Sequence, residues 1–503
     1  FFSLQPPAMS RSMIARAALR SLCAAPRLAA SGPAPTANTK SYSTGRKTTV
    51  SRSPATGKVI AEYPYLTDAE ASQMVERSQA AYLSWKRSSH ETRATLMRAA
   101  ANVLLRRRDE LAELMANEMG KCIKEGRAEI EKCALVCNYY ADNAAGFLAP
   151  EHIPTQASES FVTFNPLGVI LIVMPWNFPF WQVFRQAACG LSAGNTMLLK
   201  HASNVFGSAK AIEEVFVEAG FPPDVFLNLP ISGGQCNAVL EHPYARAVAL
   251  TGSTPVGKGL GAHAGRLLKK AVLELGGADP YLILPDADLD LAAAACTSGR
   301  VLNCGQSCIG AKRFIVTEPV YDEFVEKFAA KMSATVVGDP LSLETGMGPM
   351  VDAKSRAEVH GQVVDSVKGG AKVLIGGEIP EGPEGSAFYP VTILTDVTKG
   401  VVAYEEEIFG PVATVIKVKD EAEAVFVAND SCFGLGSAVF TRDVEKGRRI
   451  AAEELDAGLA FVNDFVKSDP RLPFGGVKES GLGRECSHYG IKEFVNIKTV
   501  VVK

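Results

Sequence analysis

A chain of 503 residues is longer than one ordinary domain, so two or three domains around a large buried core are expected. With 47% hydrophobic residues, 21% charged residues and a net charge of -3, it reads as a soluble globular protein with no electrostatic basis for binding nucleic acid or a membrane surface. Eleven cysteines scattered without regular spacing point to reduced thiols in an intracellular compartment rather than to a disulfide framework.

The first 61 residues contain no Asp or Glu. Arg16, Arg20 and Arg27 share one face at helical spacing, and Ile14, Ala18 and Leu22 share the opposite one. Such a Ser-, Ala- and Arg-rich start predicts a mitochondrial presequence over residues 1–45, with Met9 as its start, cleavage near Tyr42 and the mitochondrial matrix as destination. A plain basic tail is the alternative.

Residues 68–145 are predicted helical from apolar residues at three- and four-residue spacing. Short apolar runs then alternate with helical stretches: "GVILIVMP" (168–175), "TMLLK" (196–200), "VFLNLP" (225–230), "ARAVALTG" (245–252) and "AVLELGG" (271–277). This alternation predicts βαβ units and a parallel sheet, with ligands outside the carboxyl ends of its strands. A second α/β region follows a boundary near Gly276-Gly277, and "EFVNIKTVVVK" closes the chain as an apolar strand. The Gly-rich turn "TGSTPVGKGLG" (251–261) suits a pyrophosphate facing a helix N-terminus, although glycine spacing alone equally describes an ordinary strand-to-helix turn.

Five segments become specific together: "PWNFP" (175–179), "ELGG" (274–277), "GQSC" (305–308), "EEIFGP" (406–411) and "LPFGGVKESGLGRE" (472–485). In this order they resemble the aldehyde dehydrogenase superfamily from about Ser51 to the C-terminus, and within it the succinate-semialdehyde dehydrogenases. The resemblance implies an α/β fold with a Rossmann-like cofactor domain (46–140 and 164–274), an α/β catalytic domain (275–472) and a small β oligomerisation arm (141–163 and 487–503). It also implies a homodimer or homotetramer and a place in GABA degradation.

By the same resemblance Cys308 is the nucleophile. The chemistry asks for a thiolate, which adds to an aldehyde as a thiohemiacetal from which hydride can leave. Cys304 matches no catalytic position and reads as a packed neighbour, with a redox partner of Cys308 as the sharper alternative. A metal site at Cys304 and Cys308 lacks a second ligand pair, so no metal is expected. The Asn177 amide and the Cys308 backbone N–H would bind the developing oxyanion. Taken alone, Asn177 also suits a helix cap. Glu274 is the implied general base for thioester hydrolysis.

The cofactor is expected to be NADP or NAD. The resemblance places Trp176, Glu407 and Phe409 beside its nicotinamide half, Gly252 and Ser253 at the pyrophosphate, and Lys200 at the adenosine ribose. Ser203 stands where many NAD-preferring members carry a Glu that repels a 2′-phosphate, so NADP is expected to be accepted. Ser203 also suits the cap of the following helix.

For a substrate ending in a carboxylate, the resemblance assigns Arg185 and Ser468. A second arginine found in one branch is replaced by Leu302. Arg300 lies two residues away, and Arg471 or Lys467 are the candidate replacements. Glutarate semialdehyde or simple alkanals are rival substrates, and a catalytically idle binding protein of the same fold is the rival of another class.

Overall fold

Five of the apolar runs form the parallel part of a six-stranded sheet in a computed structural model that describes residues 46–503. The expected presequence lies outside the described residues. The parallel strands are Val169–Met174, Thr196–His201, Phe226–Asn228, Ala245–Thr251 and Lys270–Glu274. Their order across the sheet is third, second, first, fourth, fifth, and the short strand Gly481–Leu482 adds antiparallel beside the last. Every residue of Val169–Met174 is buried. Helices cover both faces of such a sheet, so its strands read as unbroken apolar runs. Chain order reverses between Val169–Met174 and Ala245–Thr251, and at such a switch point a crevice opens beyond the carboxyl ends.

A seven-stranded sheet holds, in order, Lys372–Ile375, Thr392–Thr395, Val412–Val418, Ala311–Thr317, Asp279–Ile283, Gly436–Phe440 and Leu459–Val462. All its pairs are parallel except the first. The expected α/β class with a Rossmann-like sheet therefore holds.

The helical region resolves into Asp68–Trp85, His90–Arg106, Arg108–Met119 and Ile123–Phe147. Thr67 and Glu70 close a reciprocal capping box at the first, and the Ser89 hydroxyl caps the second. No helix among the described residues is long and apolar enough to cross a membrane.

The last strand, Val495–Val502, pairs antiparallel with Glu159–Pro166, which in turn pairs with Glu151–His152. The arm was expected to begin at residue 141. Instead residues 141–147 finish the long helix, because Ala141 and Ala144 are buried in the apolar core beside the six-stranded sheet, and the paired strand runs on to Pro166.

Candidate active site

Cys308 lies between the helix Leu289–Val301 and the strand Ala311–Thr317. The chain reaches it through Asn303, Cys304 and Gly305, all left-handed with φ of 53°, 56° and 70°. For two residues with a Cβ this backbone is unfavourable, so the surroundings must hold it. Glu125 accepts the Asn303 backbone N–H at 3.1 Å, the Asn303 amide donates to the carbonyls of Asn177 and Gln306, and Arg300 donates to the Gly305 carbonyl. Arg300 is fully buried in this role and lines neither cleft described below. Cys304 is buried in the apolar core beside the seven-stranded sheet, as the packed-neighbour expectation has it, and both thiols are free.

Two clefts meet at Cys308. The first, of about 710 Å³, carries Trp176, Asn177, Thr251, Gly252, Ser253, Glu407 and Phe409 on its walls. It opens at the switch point, since residues 175–177 follow one reversing strand and residues 252–253 follow the other. The second, of about 350 Å³, carries Arg185, Ser468, Lys132 and Lys467 among the apolar side chains of Phe178, Trp181, Leu302, Ile309, Val466 and Phe474. Gln182 lines both clefts.

Two donors at Cys308 remain free. The Asn177 amide oxygen accepts from Gln182 at 3.0 Å, and its nitrogen donates to the Gln306 carbonyl at 3.1 Å. That leaves one N–H of the amide available. The Cys308 backbone N–H makes no hydrogen bond among the described residues. Burial pushes the Cys308 thiol up to about 12, while Arg185 and then Lys312 pull it down. The thiol is therefore protonated at neutral pH and needs a base before it can attack.

Lys312 escaped sequence reading. Its ammonium donates to the carbonyls of Ser307 and Cys308, at 2.9 and 2.7 Å, and pairs with Glu407 at 3.0 Å. Glu407 also accepts the Gly277 N–H at 3.2 Å. The nucleophile loop is thus tied to the glutamate of the cofactor-side wall. A Cβ on Gly277 would stand 2.6 Å from the Cys308 carbonyl oxygen, which is why glycine follows glycine in "ELGG".

Glu274 ends its strand buried, lines neither cleft, and leaves both carboxyl oxygens without a partner. Burial, then the neighbouring Glu485 carboxylate, raises it well above the usual carboxylate range.

The residues present fit a dinucleotide. The helix Thr254–Arg266 starts at the switch-point cleft with no side-chain cap from Ser253. The hydroxyls of Thr251 and Thr254 are buried and unpartnered. Uncapped N–H groups with spare hydroxyls suit a pyrophosphate. Trp176 and Phe409 meet edge to face, 5.9 Å between centroids, on the same wall. Lys200 and Ser203 stand outside this cleft, at the carboxyl end of the neighbouring strand Thr196–His201. That is where a dinucleotide's adenosine ribose is met in this topology. The capping expectation for Ser203 is corrected: it opens the short turn Ser203–Val205 and makes no capping bond, and the helix Phe206–Glu218 starts beyond it.

The carboxylate-binding expectations change in detail. Arg185 is buried and ion-paired with Glu485, and its guanidinium stacks 4.3 Å from the Phe474 ring centre. Its Nη2 is buried without a hydrogen-bond partner among the described residues, on the wall of the second cleft. Glu485 reaches this point because Gly481–Leu482 crosses to the edge of the first sheet. Arg471 is exposed, pairs with Asp469 and lines neither cleft. Lys467 lines the second cleft but pairs with Asp464 at 2.6 Å. Arg185→Ala should leave Glu485 as an uncompensated buried charge and cost about 3–5 kcal/mol of stability. Thermal unfolding checks this, with partial recovery expected in the Arg185→Ala, Glu485→Gln double variant.

The Aldehyde dehydrogenase family model matches residues 41–500. A protein of Mycobacterium tuberculosis named as an NADP-dependent succinate-semialdehyde dehydrogenase is 46% identical over 450 residues, covering 89% of this chain and 98% of that protein. One of the same name from Deinococcus radiodurans is 44% identical over 447 residues, covering 89% and 93%. The crystal structure of a succinic semialdehyde dehydrogenase from Streptococcus pyogenes with NADP+ superposes with a TM-score of 0.88 at 38% identity, covering 90% of this chain and 99% of that one. These relatives correct the expected location. They are bacterial and point to a cytoplasmic enzyme, not to a mitochondrial matrix. With a family model over 41–500 and relatives matched nearly end to end, the chain belongs to the aldehyde dehydrogenase family.

Proposed function

We propose that this enzyme oxidises succinate semialdehyde to succinate with NADP, or more weakly NAD, by way of Cys308. The observation that carries the reading is the meeting of two clefts at one thiol, one built for a dinucleotide and the other apolar with cations on its wall. The names of the relatives agree with it.

Water in the cleft takes the Cys308 thiol proton, the sulfur bonds to the aldehyde carbon, and the carbonyl π pair moves to oxygen. The free Asn177 N–H and the Cys308 N–H receive that oxyanion. The bound nicotinamide supplies the hydride acceptor. As C=O reforms, a thioester to Cys308 remains. Water then attacks the acyl carbon, Glu274 takes its proton, and the Cys308 sulfur leaves with the bond pair. Glu274 must turn from its dry setting to reach that water. Hydration lowers its pKa and makes it a base as it turns. Lys312 and Gln182 hold the loop and the amide in register. Lys200, Ser203, Gly252, Ser253, Glu407, Phe409 and Trp176 bind the cofactor, Ser468 lies on the substrate's carboxylate side, and Arg185 positions the wall through Glu485.

On this reading residues 46–147 and 167–274 form the cofactor domain and residues 275–472 the catalytic domain. The arm serves a homodimer or homotetramer, supported by Ile497 and Val501, about 60% exposed on a two-sided strand. The reading implies a role in GABA degradation. A broader aldehyde dehydrogenase is the second reading, favoured by the apolar walls of the second cleft.

Initial rates of NADPH formation with succinate semialdehyde and butanal decide between them. A strong preference for the semialdehyde is expected, and equal rates would leave only the broader activity. Ser203→Glu should place a carboxylate against the 2′-phosphate and shift the NADP to NAD ratio of kcat/KM roughly 10- to 100-fold toward NAD.

A further inference from the structure

The second cleft holds four cations, and Arg185 keeps a buried Nη2 without a partner among the described residues even though it pairs with Glu485. Arg185 faces Glu485, Lys467 faces Asp464, and the Lys124 side chain stands exposed at the rim. Lys132, on the helix Ile123–Phe147, is the fourth. No carboxylate lies within 4.0 Å of its ammonium among the described residues. Its one hydrogen bond there is to the Ser468 hydroxyl, at 2.7 Å. The Trp181 ring lies 4.4 Å away and steers it without satisfying its donors.

The nearby carboxylates are occupied. Glu129, one turn back, pairs with the buried Lys121 and accepts the backbone N–H groups of Phe180 and Trp181, both at 2.9 Å. It closes the start of the helix Trp181–Ser192. Glu125 accepts the Asn303 N–H, and burial raises it to about 7. An ammonium has three donors, and Ser468 takes one. A half-buried cation with two open donors in an apolar cleft calls for an anion there.

We propose that Lys132, held between Ser468 and Trp181, binds the distal carboxylate of the substrate and replaces the arginine that Leu302 displaces. This rests on the semialdehyde reading above and deepens it. Arg185 also supports the wall through Glu485. Lys132 links Ser468, whose role the sequence suggests, to a charge that no motif contains.

Burial lowers the Lys132 ammonium to about 8. The groups facing it are Cys133 and Glu129 on its own helix, Arg185 and Cys486 from neighbouring elements, and Asp469 beside Ser468. A carboxylate bound to Lys132 should therefore lose its hold above about pH 8, whereas one bound to arginine would not.

The test is the ratio of kcat/KM for succinate semialdehyde to that for butanal, in wild type, Lys132→Met and Lys132→Arg. Lys132→Met should lower the ratio roughly 10- to 100-fold, chiefly through KM, and Lys132→Arg should restore most of it. In wild type the ratio should fall as pH passes 8, and Lys132→Arg should flatten that fall. If Lys132→Met does not fold, the wild-type pH profile and Lys132→Arg still decide. A ratio kept in Lys132→Met, or a wild-type ratio level through pH 9, overturns the proposal. If wild type itself does not prefer the semialdehyde, the functional reading fails first.

Discussion

Cys308→Ala should abolish aldehyde-dependent NADPH formation, by roughly 10^4-fold or more, while the protein still quenches its tryptophan fluorescence on binding NADP. Among the described residues the sulfur is the only group at the junction of both clefts able to form and release an acyl bond. Alanine removes it without touching the dinucleotide wall. A pH test accompanies it. With the thiol raised to about 12, the thiolate fraction of the free enzyme grows about tenfold per pH unit, so iodoacetamide labelling of Cys308 should accelerate about tenfold per unit from pH 7 to 9. Retained turnover in Cys308→Ala would move the nucleophile elsewhere. Labelling that is flat with pH would mean that a base already holds the thiol ionised.

Glu274→Gln should give a rapid burst of about one NADPH per subunit followed by turnover about 100- to 1000-fold slower than wild type. Hydride leaves before water enters, so losing the base for hydrolysis strands the thioester on Cys308. The fold should tolerate the change. Glu274 is buried, burial favours its neutral form, and a glutamine amide closely matches a protonated carboxyl in shape and charge. The thermal midpoint should then stay within a few degrees of wild type. Stopped-flow absorbance resolves the two phases. Loss of the burst as well would make Glu274 the base that deprotonates Cys308, and unchanged steady turnover would place the hydrolytic base on another residue.

Legibility followed sequence separation. Parallel strands buried on both faces appear as continuous apolar runs, so Val169–Met174 and Thr196–His201 could be read almost to the residue. Asn177, Gly252 and Cys308 lie within short segments that carry their own pattern. Relations between distant segments were hidden. Arg185 read as a free cation because its partner Glu485 comes 300 residues later, on a crossing strand with no periodic signal. Lys132 sits in an ordinary amphipathic helix, and only packing sets it beside Ser468. The left-handed residues Asn303 and Cys304 defy local preference, since tertiary hydrogen bonds impose that backbone. The basic first 45 residues pointed to a compartment that the bacterial relatives overturn.

The strand Gly481–Leu482 also sets an order of events during synthesis. It carries the chain back to an edge strand, Lys270–Glu274, made some 200 residues earlier, and delivers Glu485 to a guanidinium made earlier still. Until residues 481–485 leave the ribosome, Arg185 has no counter-ion and the first sheet keeps an open edge. A chain cut short there would hold its nucleophile and most of its cofactor wall, yet would carry an unpaired charge in its core. The docking of this late-made segment and the shaping of the substrate wall are thus one contact, and a chain released before that segment is made should be unstable.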